Sequence, residues 1–338
     1  MVCFPRTAAY AIAATLTALS VKAGTVDLSG RVVWNDINQS RFMHANLDGS
    51  DVQTLFTTNV TTAGFDIDYD NEQIYWQSVD GVFRADFDGA NQEKIIDPTD
   101  TNASLPAVGG STANVLGLEV DSEAGHVYWI DQDDNILRAN VDGSSQTTLF
   151  SVTRPPEFGV SGAGSVGLAL DTVNDYLFVT TQNSGTIVRA NLDGSARQEI
   201  VTGLTNPQDM FIDSTNSRLY FTSLDETVRF SDLDGNGLTT VISSTDLRSP
   251  GGLAFDAASN RFFTTYRGSL TEKIQSFGRN GGPIQDLVTE NDLFPQYFDV
   301  ELGFVSSSTP KVPALSGLGA FVLMACGAIT GFLRRRSR

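Results

Sequence analysis

The chain has 338 residues, 41% of them apolar, with 22 basic against 40 acidic side chains and a net charge of −18. That length and apolar share are enough for a sizeable core, and the negative field excludes nucleic acid and anionic lipid as partners of the body while drawing cations or basic proteins. Cys3 and Cys326 lie in the two end segments, so residues 24–305 carry no thiol for a disulfide, a cysteine-zinc site or a nucleophile.

Residues 1–23 read as a signal peptide. Arg6 supplies the positive start, residues 7–21 are mostly Ala, Thr, Leu, Ile and Val, and Val21-Lys22-Ala23 offers a small-residue cleavage pattern. Export is the expectation.

From residue 24 onward one unit recurs six times. A strand ending in apolar-x-Asp, such as Phe65-Asp66-Ile67-Asp68, leads to a polar turn and a strand with an aromatic pair. A third strand runs into Asp-Gly, and a fourth follows, such as Glu93-Lys94-Ile95-Ile96. The second residue of the pair reads as Trp34, Trp76, Trp129, Phe178, Phe221 and Phe263, at spacings of 42, 53, 49, 43 and 42. The turn aspartates are Asp48, Asp88, Asp142, Asp193 and Asp234, with Asn280-Gly281 in the sixth unit. Asp-Gly between alternating β-formers signals a hairpin, because Gly takes positive φ without strain. A period of 40–50 residues signals a propeller or solenoid. Unit one lacks a first strand, and Tyr297-Phe298-Asp299-Val300-Glu301-Leu302 at the far end suits the vacancy, so the last strand is predicted to complete the first unit.

Two links between a fourth strand and the next first strand are long. They are 97–114, with Asp97 and Asp100, and 152–165, with Arg154, Glu157 and Phe158. Both should emerge side by side on one face. Long connections on a rigid scaffold often bind, so these five residues are the candidate binding set. The slot four residues before the turn Asp reads His44, Arg84, Arg138, Arg189, Phe230 and Ser276, and its arginines are expected to pair with acids of an adjacent unit. Asp36, Ser78, Asp131, Thr180, Ser223 and Thr265, two residues after the aromatic pair begins its second member, are expected to bond between units. Asp232-Leu233-Asp234-Gly235-Asn236-Gly237 opens like a calcium loop, but Ser243 stands where a closing acid is needed. The segment reads as a turn and no cofactor is expected, with calcium in a central channel ringed by acidic residues the alternative that spacing does not support. His44 and His126 lie in different units, and no Gly-x-Ser-x-Gly, His-Glu-x-x-His or phosphate loop is present. Nothing here marks a catalytic residue.

After a linker at 306–314, Leu315 to Leu333 form an apolar run followed by Arg334, Arg335, Arg336 and Arg338. Nineteen residues at about 1.5 Å each just cross a hydrocarbon core of about 30 Å. Clustered arginines stay cytoplasmic, which places the body outside. The ends hold six basic residues (Arg6, Lys22 and these four) and no acid, so the body alone sets 16 basic against 40 acidic residues, a net of −24.

The aromatic-pair and Asp-Gly units, most clearly Tyr75-Trp76, Tyr128-Trp129 and Arg189-Ala190-Asn191-Leu192-Asp193-Gly194-Ser195, resemble the YWTD repeats of the low-density-lipoprotein-receptor class B family. The resemblance implies an all-β, six-bladed propeller over 24–305. The tail, with Val312-Pro313 ahead of the span, resembles PEP-CTERM sorting tails of Gram-negative bacteria. That resemblance implies an exosortase-type processing enzyme as a partner. The expectation is an anchored, outward-facing module that binds an envelope or extracellular protein or glycan. The alternatives are a metal-dependent hydrolase or lactonase of the gluconolactonase or strictosidine-synthase propeller type, and a structural matrix component.

Overall fold

The structure is a computed structural model and describes residues 26–37, 39–78, 80–97, 117–131, 134–152, 165–267, 271–290 and 300–302. The predicted signal peptide, the linker and the apolar tail with Val312, Pro313, Arg334, Arg335 and Arg336 lie outside them. Six four-stranded antiparallel sheets form the six blades of a β-propeller. Blades two to six each use four consecutive strands. Their first strands (Phe65–Asp68, Leu118–Asp121, Ser165–Asp171, Pro207–Asp213 and Leu253–Asp256) neighbour one another around the central axis.

Blade one is built from both ends of the chain. Its second, third and fourth strands are Arg31–Asp36, Arg41–Asn46 and Gln53–Thr57, and its inner strand is Val300–Leu302. The register is Val32 with Leu302, Val33 with Glu301 and Trp34 with Val300. The predicted closure is present, although 297–299 lie outside the described residues. Tyr69 of blade two adds a bond from its hydroxyl to the Leu302 carbonyl at 2.5 Å. The pairing covers the inner edge of Arg31–Asp36, and the Tyr69 bond ties the closing strand to blade two.

The core is divided into six wedges, one in each seam between blades. One wedge joins Val33, Phe42 and Phe56 of blade one to Phe65, Ile74 and Trp76 of blade two. The next joins Tyr75 to Trp129, and further round Phe178 meets Phe221 and Phe263 meets Trp34. Adjacent residues on a strand point to opposite faces. An aromatic pair therefore feeds two seams at once, which is the physical reason for the repeat.

Pairing corrects the sequence register in two blades. Tyr75 lies opposite Arg84 and Tyr128 opposite Arg138. Phe178 lies opposite Arg189, and Phe263 opposite Ser276, which is the equivalent place. Phe178 and Phe263 thus occupy the first position of the pair rather than the second. Val179 and Thr264 hold the position of Trp76. In Tyr176-x-Phe178 and Phe262-Phe263 every aromatic precedes the Trp position, which holds Val179 and Thr264, so alignment on aromatics slips by one residue.

Candidate binding face and central channel

The up-and-down course of each blade sorts the connections. Turns between first and second strands, and the Asp-Gly turns between third and fourth, gather on one face. The second-to-third turns and the blade-to-blade links gather on the other. The strand ends that flank the two long links, Ile96 with Leu118 and Ser151 with Ser165, stand at this second face at neighbouring seams, and described links there span 58–64, 202–206 and 244–252. Of the candidate binding residues, Asp97 is described. It is half-buried and ion-paired with Lys94. Asp100, Arg154, Glu157 and Phe158 lie outside the described residues. Arg31 and Leu302 both stand at the Asp-Gly face, so the chain enters and leaves the propeller opposite the long links.

The Asp-Gly turns do more than reverse the chain. Gly49, Gly89, Gly143, Gly194, Gly235 and Gly281 all have φ between 77° and 84°. Each also presses on the fourth strand of the preceding blade. A Cβ on Gly143 would stand 1.7 Å from the Ile95 carbonyl oxygen, and one on Gly235 1.9 Å from that of Ile200. The turn carboxylate is used locally: Asp48 accepts from the Ser50 amide at 2.9 Å and its hydroxyl at 2.6 Å. Such bonds, from the serine hydroxyl first and then its amide, lower the carboxyls of Asp48, Asp142 and Asp193 from the ordinary value. The Asp232 segment is such a turn, its carboxylate accepting from the Asp234 and Asn236 amides at 3.0 and 2.8 Å.

The arginine slot staples seams. Arg84 donates to the Val141 carbonyl at 3.0 Å and Arg189 to that of Leu233 at 2.8 Å, in each case on the next blade. The expected acid of an adjacent blade is present for Arg189, which reaches Asp234 at 2.6 Å. The acid paired with Arg84 is Glu93 of its own blade.

A second set of polar bonds across seams comes from one slot, one residue past the Trp position. Asn35 donates to the Ala63 carbonyl at 2.6 Å and Gln77 to that of Ile130 at 3.1 Å. Thr180 donates to that of Gln208 at 2.5 Å and Thr222 to that of Gly251 at 2.8 Å. With the corrected register Thr180 and Thr265 belong to this slot. Asp36 instead binds Arg41 and the Gln39 amide within its own hairpin, and Asp131 accepts from Asn135. Ser223 Oγ and Thr265 Oγ1 are buried with no hydrogen-bond partner.

The first strands enclose a cavity of about 180 Å³ on the axis. Glu301, Asp66 and Glu119, at equivalent positions of blades one to three, line one half. Ala169, Phe211 and Ala254 hold the same positions in blades four to six. Among the described residues no group of three or more His, Cys, Asp or Glu is placed to hold a metal. Asp66 accepts from its neighbour Ile67 at 2.6 Å and from the Val120 amide of blade three at 2.7 Å. At the opposite seam, Asp209 accepts from the Leu253 amide of blade six at 2.7 Å. Sequence reasoning missed both carboxyls. Asp66 is legible as an acid at the x of apolar-x-Asp, whereas nothing in the local pattern marks Asp209. His44 and His126 are both shifted down by burial first, then by Arg31 and Arg138 respectively.

No family model matches the chain. A protein named low-density lipoprotein receptor-related protein 1, from Pyricularia oryzae, is 25% identical over 219 residues, covering 58% of this chain and 67% of its own length. Low-density lipoprotein receptor-related protein 5 of Mus musculus is 28% identical over 154 residues, 44% of this chain and 9% of that protein. Among solved structures, a chain of the nidogen/laminin complex superposes with a TM-score of 0.64 at 14% identity, covering 81% of this chain and 98% of that one. TolB of Acinetobacter baumannii gives 0.58 at 10%, over 82% of this chain and 67% of that one. Virginiamycin B lyase of Staphylococcus aureus gives 0.52 at 16%, over 78% and 81%. In sequence the chain is similar to low-density-lipoprotein-receptor-related proteins, and in fold it is a six-bladed β-propeller.

Proposed function

We propose that this chain is an exported propeller of the YWTD kind that binds an extracellular or envelope protein or glycan through its link face, and that its C-terminal segment anchors it to the membrane. The observation that carries the reading is that Ile96, Leu118, Ser151 and Ser165, the strand ends flanking the two long links, stand at adjacent seams of one face. The closed ring beneath them is held by six apolar wedges, so it can present those segments without rearranging. The exit of both chain ends on the opposite face supports it: a tether there leaves the link face outward. The similarity to receptor-related proteins, and the nidogen fold seen in a complex with laminin, point the same way.

The test uses the exported chain as bait against the envelope and secreted fractions of its host. The control replaces 98–114 and 153–163 with short Gly-Ser links. The expected result is a partner held by the bait and lost from a control that melts at the same temperature. A partner held equally by both would overturn the assignment of the face.

A further inference from the structure

We propose that the end of the central channel nearest the Asp-Gly turns is a binding site for a small organic ammonium ion, a primary amine carried on a compact apolar body.

The chain builds the two halves of the lining separately. Each inner strand runs from the link face toward the Asp-Gly face, and one residue near its end lines the axis. In blades one to three that residue is Glu301, Asp66 and Glu119, and in blades four to six it is Ala169, Phe211 and Ala254. Three adjacent carboxyl side chains therefore face three adjacent apolar ones across the ring. Ala169 and Ala254 stop at Cβ, and the space they leave forms much of the cavity of about 180 Å³. Leu302 and Phe255, each one residue further toward the Asp-Gly turns, also line it. The cavity thus sits at the end of the channel away from the link face, and the proposal is independent of what that face binds.

The chemistry of the walls selects the occupant. Among the described residues no group of His, Cys, Asp or Glu converges closely enough to hold a metal ion. An ammonium makes a lesser demand. It offers three donors at ordinary hydrogen-bond distance, which acids spread over three blades can meet. Asp66 takes one amide on each oxygen, from Ile67 and from Val120. A carboxylate oxygen accepts twice, so both keep capacity toward the channel. Asp66, Glu119 and Glu301 are only half-exposed, and an opposite charge is worth more there than in open water. The other half of the wall has nothing to offer a hydrated ion, but Phe211, Phe255 and the two alanines suit a hydrocarbon body. Size fits as well: an apolar cavity of about 150 Å³ takes up benzene, so this one has room for a six-carbon ring with an amino group at its acidic side.

The test titrates the full chain calorimetrically with cyclohexylamine and with its neutral counterpart cyclohexanol, at about pH 8, where amine and carboxyls are both charged. Saturable binding of the amine is expected with a dissociation constant on the order of 1 mM, and cyclohexanol should bind at least about tenfold more weakly. Glu119→Gln/Glu301→Gln should weaken the amine by about tenfold or more. It removes two charges from a strongly acidic body, so general attraction hardly changes. Ala169→Leu keeps every acid, fills the apolar half and should abolish binding. Equal binding of amine and alcohol, unchanged amine binding in either variant, or no saturable uptake by the parent up to about 20 mM overturns the proposal. Should a variant fail to fold, the amine and alcohol titrations of the parent still decide.

Discussion

The glycine of each Asp-Gly turn serves the seam as well as the turn, and a matched pair within blade three separates the two roles. Gly125 and Gly143 have φ of 68° and 81°. A Cβ on Gly125 meets nothing within 4 Å, whereas one on Gly143 stands 1.7 Å from the Ile95 oxygen. Gly125→Ala should cost only the left-handed strain of an L-residue, about 1 kcal/mol. Gly143→Ala adds a displacement. An ordinary carbon-oxygen contact is about 3.4 Å, so the turn must retreat by more than an ångström from the outer strand of blade two. Neighbouring Val141 packs in that seam, and its carbonyl takes the Arg84 bond. Overpacking of this kind costs about 1–3 kcal/mol, and loosening a buried bond about another 1. The total is about 3–5 kcal/mol. Chemical denaturation of both variants, checked against melting temperature, reads the difference directly. Equal losses would refute the argument and return the glycine to a turn residue alone.

Deleting 296–305 should lower the melting temperature sharply or prevent folding, because it removes buried Leu302, its pairing with Val32 to Trp34 and the Tyr69 bond; an unchanged melt would show that the ring closes without this strand. Thr222→Val keeps the shape and leaves the buried Gly251 carbonyl without its recorded donor, so urea unfolding should show a loss of about 1–3 kcal/mol. Phe178→Ala should cost about 3–5 kcal/mol by the same measurement, since the ring is fully buried against Phe221. Calcium should leave the melting temperature unchanged, and a rise reversed by a chelator would bring back the metal-dependent hydrolase reading.

Blade number and strand boundaries were legible because alternation, aromatic pairs and Asp-Gly are local signals written six times. The closing strand was legible for a different reason: unit one lacked a partner and the far end had a spare strand. Register in blades four and six was not legible, since Phe178 and Phe263 are as apolar as the residues they were aligned with, and only cross-strand pairing distinguishes them. The seam bonds shifted by one residue for a related reason. Asn, Gln and Thr at that slot look like ordinary strand residues until a carbonyl of the next blade is brought near. Asp209 was invisible because its significance lies in what buries it. Of the candidate binding residues only Asp97 falls within the described fold, and it is engaged by Lys94.

The way the ring closes also sets an order of assembly. Tyr69 and Leu302 meet at a sequence separation of 233, and three strands of blade one must wait for the last strand to be made. Until then the nascent molecule is a horseshoe with two raw edges, each able to recruit a strand from elsewhere. Long-range pairing of this kind is slow. Joining the native ends and reopening the chain at 202–206, between blades four and five, would make every blade contiguous in sequence. Such a permutant should reach the same final ring with fewer detours, exchanging a lock that engages last for seams that engage one after another.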